Sequence, residues 1–100
     1  NERLIHIHCK DIRKNVLDNS LKNDLSFRGA FLEGVFTVPG DGCIDYKPLF
    51  DILKEINYSG WLIVEADQDP KKANPLEYAI KGYKYLTETL QSSNIKILKN

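Results

Sequence analysis

The sequence predicts an α/β fold in which strands alternate with helices and the strands run parallel. Leu4–Cys9 shows the alternation of a strand, and Trp61–Val64 is a continuous apolar run that ends before Glu65. Helical spacing of apolar residues follows each strand, which gives a βαβα order and implies a parallel pair. Two parallel strands cannot bury both of their faces alone, so we expect further strands from a larger barrel or sheet.

The first strand has two unlike faces. Side chains along a strand point alternately to opposite sides. One face carries Leu4, His6 and His8, and the other carries Ile5, Ile7 and Cys9. We expect the apolar face to pack under helices and the histidine face to point into a polar centre.

The connection between the strands is long. Asp11–Glu33 predicts one or two short helices with a break near Asn23 and Asp24. Gly34–Gly42 holds three Gly and one Pro in nine residues, which predicts a shaped loop without a regular element. Its Asp41 is expected to belong to a tight turn.

Two later helices carry start signals. Asp45 is expected to cap one helix with Pro48 in its first turn, and Asn74 to cap the other with Pro75 at its first position. The predicted buried stripe of the first comprises Leu49, Phe50, Leu53 and Ile56. The predicted apolar face of the second comprises Leu76, Ala79, Ile80, Tyr83, Leu86 and Leu90.

Composition narrows the function classes. Lys plus Arg equals Asp plus Glu at 14 each, so bulk charge argues against a nucleic-acid or membrane-surface role. Cys9 and Cys43 form no disulfide framework, and we expect two free thiols in a reducing cytoplasm. The 100 residues contain no Met and begin almost at once on a strand, so we expect a fragment of a longer protein.

The chemistry is expected where the strands end. Active sites of α/β barrels gather at the carboxyl ends of the strands. His8 and Lys10 close the first strand, and Glu65 and Asp67 close the second. A carboxylate at the rim of a buried strand needs a partner, which for Glu65 is either a metal ion or a neighbouring Lys or Arg.

Each of the other candidate residues has a plain alternative. His6 and His8 lie about 7 Å apart on one face, as metal ligands or as hydrogen-bonded interior histidines. Lys10 suits stabilisation of an oxyanion or contact with a hydroxyl, or is a surface lysine paired with Asp11 or Glu33. Asp67 binds a hydroxyl or caps a turn. Imidazole and carboxylate together suit Mn²⁺, Co²⁺, Zn²⁺ or Fe²⁺.

Four segments carry a family resemblance: His6–Arg13, Gly34–Tyr46, Tyr58–Pro70 and Asn74–Ala79. Together they resemble the C-terminal part of the inosose dehydratases, within the xylose-isomerase-like superfamily of sugar isomerases and epimerases. The resemblance runs from residue 4 to about residue 90. It implies a (β/α)₈ TIM barrel, with residues 1–100 as the last two βα units of one barrel domain.

The resemblance also implies a metal site. In the superfamily a divalent ion is held by Glu, Asp, His and Glu from four strands. The His of the H-x-K-D motif matches His8, and the Glu at the end of strand eight matches Glu65. The other two ligands would lie upstream. Mn²⁺ or Co²⁺ is expected, Zn²⁺ is a further candidate, and glutathione is associated with the family.

The implied reaction removes water from 2-keto-myo-inositol (scyllo-inosose), a polyol ketone of inositol catabolism. Glu65 would be both ligand and acid–base group, with Lys10 as a second catalytic residue. The expected substrate contacts are His6, Lys10, Arg13 and Asp67. The substrate-contacting Arg of related epimerases is not matched, because Val35 and Phe36 lie there instead.

Three hypotheses stay open. The first is the dehydratase, and the second is a ketose isomerase or epimerase of the same superfamily. The third is that the isolated 100 residues are catalytically silent, because two ligands do not complete a metal site. A second copy of the chain is a further candidate partner.

Overall fold

A computed structural model describes residues 3–98 of the chain. Its elements in chain order are β1 (His6–Cys9), β2 (Asp11–Ile12), α1 (Lys14–Lys22), α2 (Phe27–Leu32), β3 (Phe36–Thr37), α3 (Lys47–Glu55), β4 (Trp61–Val64) and α4 (Pro75–Ser92). β1 pairs in parallel with β4, and β2 pairs antiparallel with β3. The predicted parallel pair is therefore confirmed, with helices in the connection and after β4.

The core lies under one face of the parallel pair. Ile7 and Cys9 of β1 share this face with Leu62 and Val64 of β4, as the two-residue period of a strand requires. The buried residues of the core are Cys9, Tyr46, Phe50, Leu86 and Leu90. Helices α3 and α4 supply most of them, so these helices fix the sheet from one side.

The opposite face of the pair is open among the described residues. His6 and His8 are exposed there, and so is the side chain of Trp61, at 63%. Trp61 and Ile63 of β4 are therefore exposed within residues 3–98, as expected for two parallel strands that cannot bury both of their faces alone. Helices cover one side of this two-stranded sheet, and no described element packs on the other.

The long connection follows the prediction in part. Helices α1 and α2 are separated near Asn23 and Asp24, where Asp24 has a positive φ of 50°. The expectation of no regular element in Gly34–Gly42 is wrong, because Phe36–Thr37 form β3 against β2. A strand of two residues has no periodicity of its own and is defined by its partner.

Helix α3 starts close to the predicted place, but its N-cap residue is Tyr46 and not the predicted Asp45, and the Tyr46 side chain makes no cap hydrogen bond. The Asp45 carboxylate accepts a hydrogen bond from the backbone N–H of Lys47 at 3.0 Å, and Pro48 lies in the first turn. Phe50 is buried as predicted, whereas Leu49 is 48% exposed. The predicted buried stripe of α3 was therefore too wide, because only one side of the helix is packed against the core.

Helix α4 has the predicted start, and its predicted apolar face is buried only in part, at Leu86 and Leu90. The Asn74 side chain accepts from the backbone N–H of Glu77 at 3.1 Å, and the helix begins at Pro75. Leu86, Leu90 and Gly82 are buried. The predicted face residues Leu76, Ile80 and Tyr83 are exposed by 70%, 57% and 55%.

Within residues 3–98, no helix combines the length and the apolar character that crossing a membrane requires.

Asp41 anchors the glycine-rich loop. Its carboxylate accepts from Arg13 at 2.8 Å, from the Thr37 hydroxyl at 2.7 Å and from Lys81 at 3.1 Å. Burial by itself would raise the pKa of Asp41, but these three donors outweigh it and hold the pKa below its usual value. Through Arg13 and Lys81, the loop is thereby joined to the start of α1 and to α4.

Gly82 allows α4 to approach the sheet. A Cβ at this position would lie 2.8 Å from Cγ1 of Val64 and 3.1 Å from Cβ of Val38. We expect Gly82→Ala to lower the free energy of unfolding in a urea titration. Overpacking costs about 1–3 kcal/mol, which exceeds the gain of about 1 kcal/mol in helix propensity.

The matched control is Lys84→Ala, two residues along the same helix at an exposed position. We expect it to change the free energy of unfolding by less than about 0.5 kcal/mol. An Ala at position 82 that stabilises the protein would show that the sheet yields to the added methyl group.

Asp41 also predicts a pH dependence. A carboxyl group with a lowered pKa in the folded state stabilises the protein above the unfolded pKa, and this contribution is lost as the pH falls through the folded value. We therefore expect Asp41→Asn to reduce stability at pH 7 and to lose less further stability than the wild type below about pH 4. Urea titrations followed by Trp61 fluorescence measure this, and equal losses in both proteins would contradict it.

Candidate active site at the strand ends

The parallel register brings the ends of β1 and β4 to one edge of the sheet. His8 lies opposite Ile63, and the backbone N–H of Glu65 donates to the carbonyl of Cys9 at 2.9 Å. Nδ1 of His8 lies 3.1 Å from Oε2 of Glu65. Their side chains are 55% and 33% exposed, so the pair is accessible from solvent. The partner of Glu65 is an imidazole, whereas the simple alternative had been a Lys or Arg.

A second polar pair follows the first. The Lys10 ammonium donates to Oδ2 of Asp67 at 2.5 Å, with side-chain exposures of 37% and 43%. Asp67 takes a positive φ of 49°. The ammonium also lies 4.5 Å from the centroid of the Phe36 ring. Asp67 is thus the partner of Lys10, in place of Asp11 or Glu33.

His6 lies on the same face, one step further from the strand end. Its ring centroid is 5.3 Å from that of His8, and the two rings meet edge to face. The structure therefore places five of the six candidate residues in two contacting groups, His6 and His8 with Glu65 and Lys10 with Asp67.

Arg13 is the candidate that lies elsewhere. Its guanidinium donates to the Gly34 carbonyl at 3.0 Å, to Asp41 at 2.8 Å and to the Tyr78 hydroxyl at 3.0 Å. Its donors hold the connection, the loop and α4 together. The expectation that Arg13 contacts a substrate stays a prediction.

Two buried residues hold the backbone next to the site by hydrogen bonds. The sequence analysis did not identify this role for either of them. Asp11 is fully buried, and its Oδ1 accepts from the backbone N–H of Ile12 at 2.7 Å and of Ile44 at 3.0 Å. Tyr46 donates its hydroxyl to the Lys10 carbonyl, and burial raises the pKa of Tyr46 to about 12, which keeps that proton in place. The H-x-K-D motif pointed to Asp11, but its burial depends on the fold.

The two cysteines are free, as predicted. Cys9 is buried beside the site, and burial raises the pKa of its thiol to about 11. The neutral thiol is a weak nucleophile and a weak metal ligand. Cys9 therefore contributes packing, and the polar chemistry belongs to the other face of β1.

His8 and Glu65 fit part of a divalent metal site. Within residues 3–98 no group of three or more His, Cys, Asp or Glu side chains is arranged to hold a metal ion. The two donors are nevertheless adjacent, partly exposed and of the mixed imidazole and carboxylate type that divalent ions accept. In such a site they would be two of the ligands, and the described residues bring no third His, Cys, Asp or Glu to them.

Comparison with known proteins gives a consistent result. Residues 1–89 match the family model described as xylose isomerase-like TIM barrel. The chain is 57% identical over 86 residues to an inosose dehydratase of Histophilus somni, which covers 86% of this chain and 29% of that protein. It is 58% identical over 86 residues to one of Clostridium tetani, again covering 86% of this chain and 29% of that protein.

An inosose dehydratase of Klebsiella pneumoniae is 51% identical over 87 residues, which is 87% of this chain and 29% of that protein. The chain thus spans less than a third of the length of these curated relatives. The match to the family model extends over most of the sequence, from before β1 to within α4. The chain therefore belongs to the xylose isomerase-like TIM barrel family.

Proposed function

We propose that this chain is the C-terminal part of a metal-dependent inosose dehydratase, built from the last two βα units of its barrel. The full-length enzyme would remove water from 2-keto-myo-inositol in inositol catabolism in the cytoplasm. The observation that carries the proposal is the adjacent His8 and Glu65 at the strand ends. The relatives named inosose dehydratase, at 51% to 58% identity, support it.

His8 and Glu65 would hold the divalent ion, Mn²⁺ or Co²⁺ first and Zn²⁺ next. When bound, such an ion draws electron density from the ketone and makes the neighbouring C–H more acidic. Glu65 is partly exposed and ends beside His8, so its carboxylate can also take up that proton. Nδ1 of His8 lies 3.1 Å from Oε2 of Glu65, and the tautomer with its proton on Nδ1 would donate to the carboxylate and fix its orientation.

Lys10, held by Asp67, would stabilise the negative charge that this proton transfer produces. The Lys10 ammonium offers a fixed positive charge to the oxygen on which negative charge develops. It donates to Asp67 now, and an ammonium has three N–H donors, so others remain for a substrate oxygen. The C–O bond to the β-hydroxyl would then break as the C=C bond forms, and the protonated Glu65 would return its proton to the leaving hydroxide, which releases water and restores the carboxylate.

Hydroxyl recognition would fall to His6 and Asp67. Both are exposed on the same face as the catalytic pair, and a polyol presents several hydroxyls at close spacing. Glutathione is proposed as a further cofactor on the strength of the family resemblance alone. A homo-oligomer is the proposed assembly on the same footing.

A second candidate function is isomerisation or epimerisation of a ketose. The family model carries the name of an isomerase, which favours this alternative. The two reactions share proton abstraction beside a ketone and differ in the loss of hydroxide. The substrate therefore discriminates them.

Turnover of scyllo-inosose tests the proposed dehydration. The full-length protein with Mn²⁺ is expected to convert scyllo-inosose to a dione, measured as an increase in dione absorbance. The 100-residue chain assayed alone is the matched control and is expected to show no turnover, because His8 and Glu65 by themselves would not complete a metal site. Activity on a ketose without activity on scyllo-inosose would contradict the dehydratase and favour the isomerase.

Metal content tests the proposed ligands. His8→Ala and Glu65→Gln in the full-length protein are expected to lose at least tenfold in metal affinity, so that elemental analysis finds little bound metal after dialysis; about 10- to 100-fold is usual even for the outer partners of ligands. His6→Ala is the control, since His6 shares the face with His8 and is assigned to substrate. Unchanged metal content in both ligand variants would remove the assignment.

A further inference from the structure

The placement of Lys10 depends on an aromatic ring that neither the motif nor the assigned roles include. Phe36 is half-buried in β3, and its ring centroid lies 4.5 Å from the Lys10 ammonium. A cation over an aromatic face is attracted by the negative potential of the π-system within about 6 Å. The ring therefore holds the ammonium on one side and Asp67 holds it on the other.

The ion pair alone would hold Lys10 poorly. Its two side chains are 37% and 43% exposed, so solvent screens their attraction. A lysine side chain also loses much rotamer freedom when it is held in one place. The ring adds a second, partly desolvated contact that selects one of the many available rotamers.

The fold positions the ring through a short strand pair. Ile12 of β2 lies opposite Phe36 of β3, and Lys10 precedes β2 directly. Behind them Tyr46 binds the Lys10 carbonyl and Asp11 binds the backbone of Ile12. The backbone beneath Lys10 and the ring beside it are thus parts of one hydrogen-bonded unit.

We propose that Phe36 is a positioning residue for the reaction: with Asp67 it fixes the Lys10 ammonium beside the His8–Glu65 pair, where an N–H remains for the ketone oxygen of a polyhydroxylated substrate. The proposal rests on the proposed function. Phe36 acts through Lys10 and takes no part in bond making.

The test is a double-mutant cycle in the full-length protein with scyllo-inosose and Mn²⁺. Phe36→Leu keeps an apolar side chain of similar bulk and removes the π face. Because Lys10 meets charge that develops during the reaction, kcat should fall about 3- to 10-fold with KM changed less than about twofold. Phe36→Tyr retains the ring face and should keep kcat within about twofold of the wild type.

The cycle closes with Lys10→Ala. In that background Phe36→Leu should change kcat by less than about twofold, since there is no ammonium left to place. The matched control is Phe27→Leu, because Phe27 is 76% exposed and its ring packs 5.5 Å from that of Phe36. It should leave kcat unchanged. An equal loss from Phe36→Leu with and without Lys10 would show a merely structural ring and overturn the proposal.

A second measurement does not depend on turnover. In protein labelled with ¹³C-lysine, the ε-methylene protons of Lys10 should show an upfield ring-current shift that disappears in Phe36→Leu and persists in Phe36→Tyr. A Lys10 signal at the random-coil position in the wild type would overturn the placement. Absence of wild-type turnover on scyllo-inosose would instead overturn the proposed function, and the lysine shift would still decide where Lys10 lies.

Discussion

The parallel register between β1 and β4 is the constraint on which the candidate site depends. With His8 opposite Ile63, the residues that leave both strands emerge at the same edge and on the same face. Side chains alternate along a strand, so a slip of one residue would turn His8 and Glu65 to opposite faces. The 3.1 Å contact between them is therefore a consequence of backbone pairing over four residues in each strand.

The register is held by the apolar face, and the polar face contributes little to stability. Cys9, Phe50 and Leu86 are almost fully buried beneath the pair. Burying one large apolar side chain stabilises a fold by about 1.5–3 kcal/mol, whereas an exposed ion pair contributes about 0–1 kcal/mol. The fold therefore does not depend on the contacts within the pairs His8–Glu65 and Lys10–Asp67.

The sequence predicted much of this arrangement and missed parts that depend on neighbours. The helix start at Asn74 was recognised because capping is a local interaction, whereas the predicted cap Asp45 lies one residue before Tyr46, the N-cap residue of α3. The pair β2–β3 was missed, and with it the place of Phe36, because a two-residue strand exists only through its partner. Leu76 of α4 was predicted to lie on the apolar face that packs, but it is exposed. An apolar stripe in the sequence does not show which part of it another element covers.

The sequence by itself determined the α/β order, the parallel pairing and the meeting of His8 with Glu65 at one edge, because strand periodicity and the position of each residue within its strand suffice for that. The tertiary structure decided which partners the remaining groups take. Lys10 binds Asp67 and faces Phe36, Arg13 binds Asp41, and Asp11 is buried. The contacts of Lys10 and Arg13 join residues that are between 26 and 57 positions apart in the chain, and the burial of Asp11 depends on the packing around it. No local pattern specifies a distance across the fold.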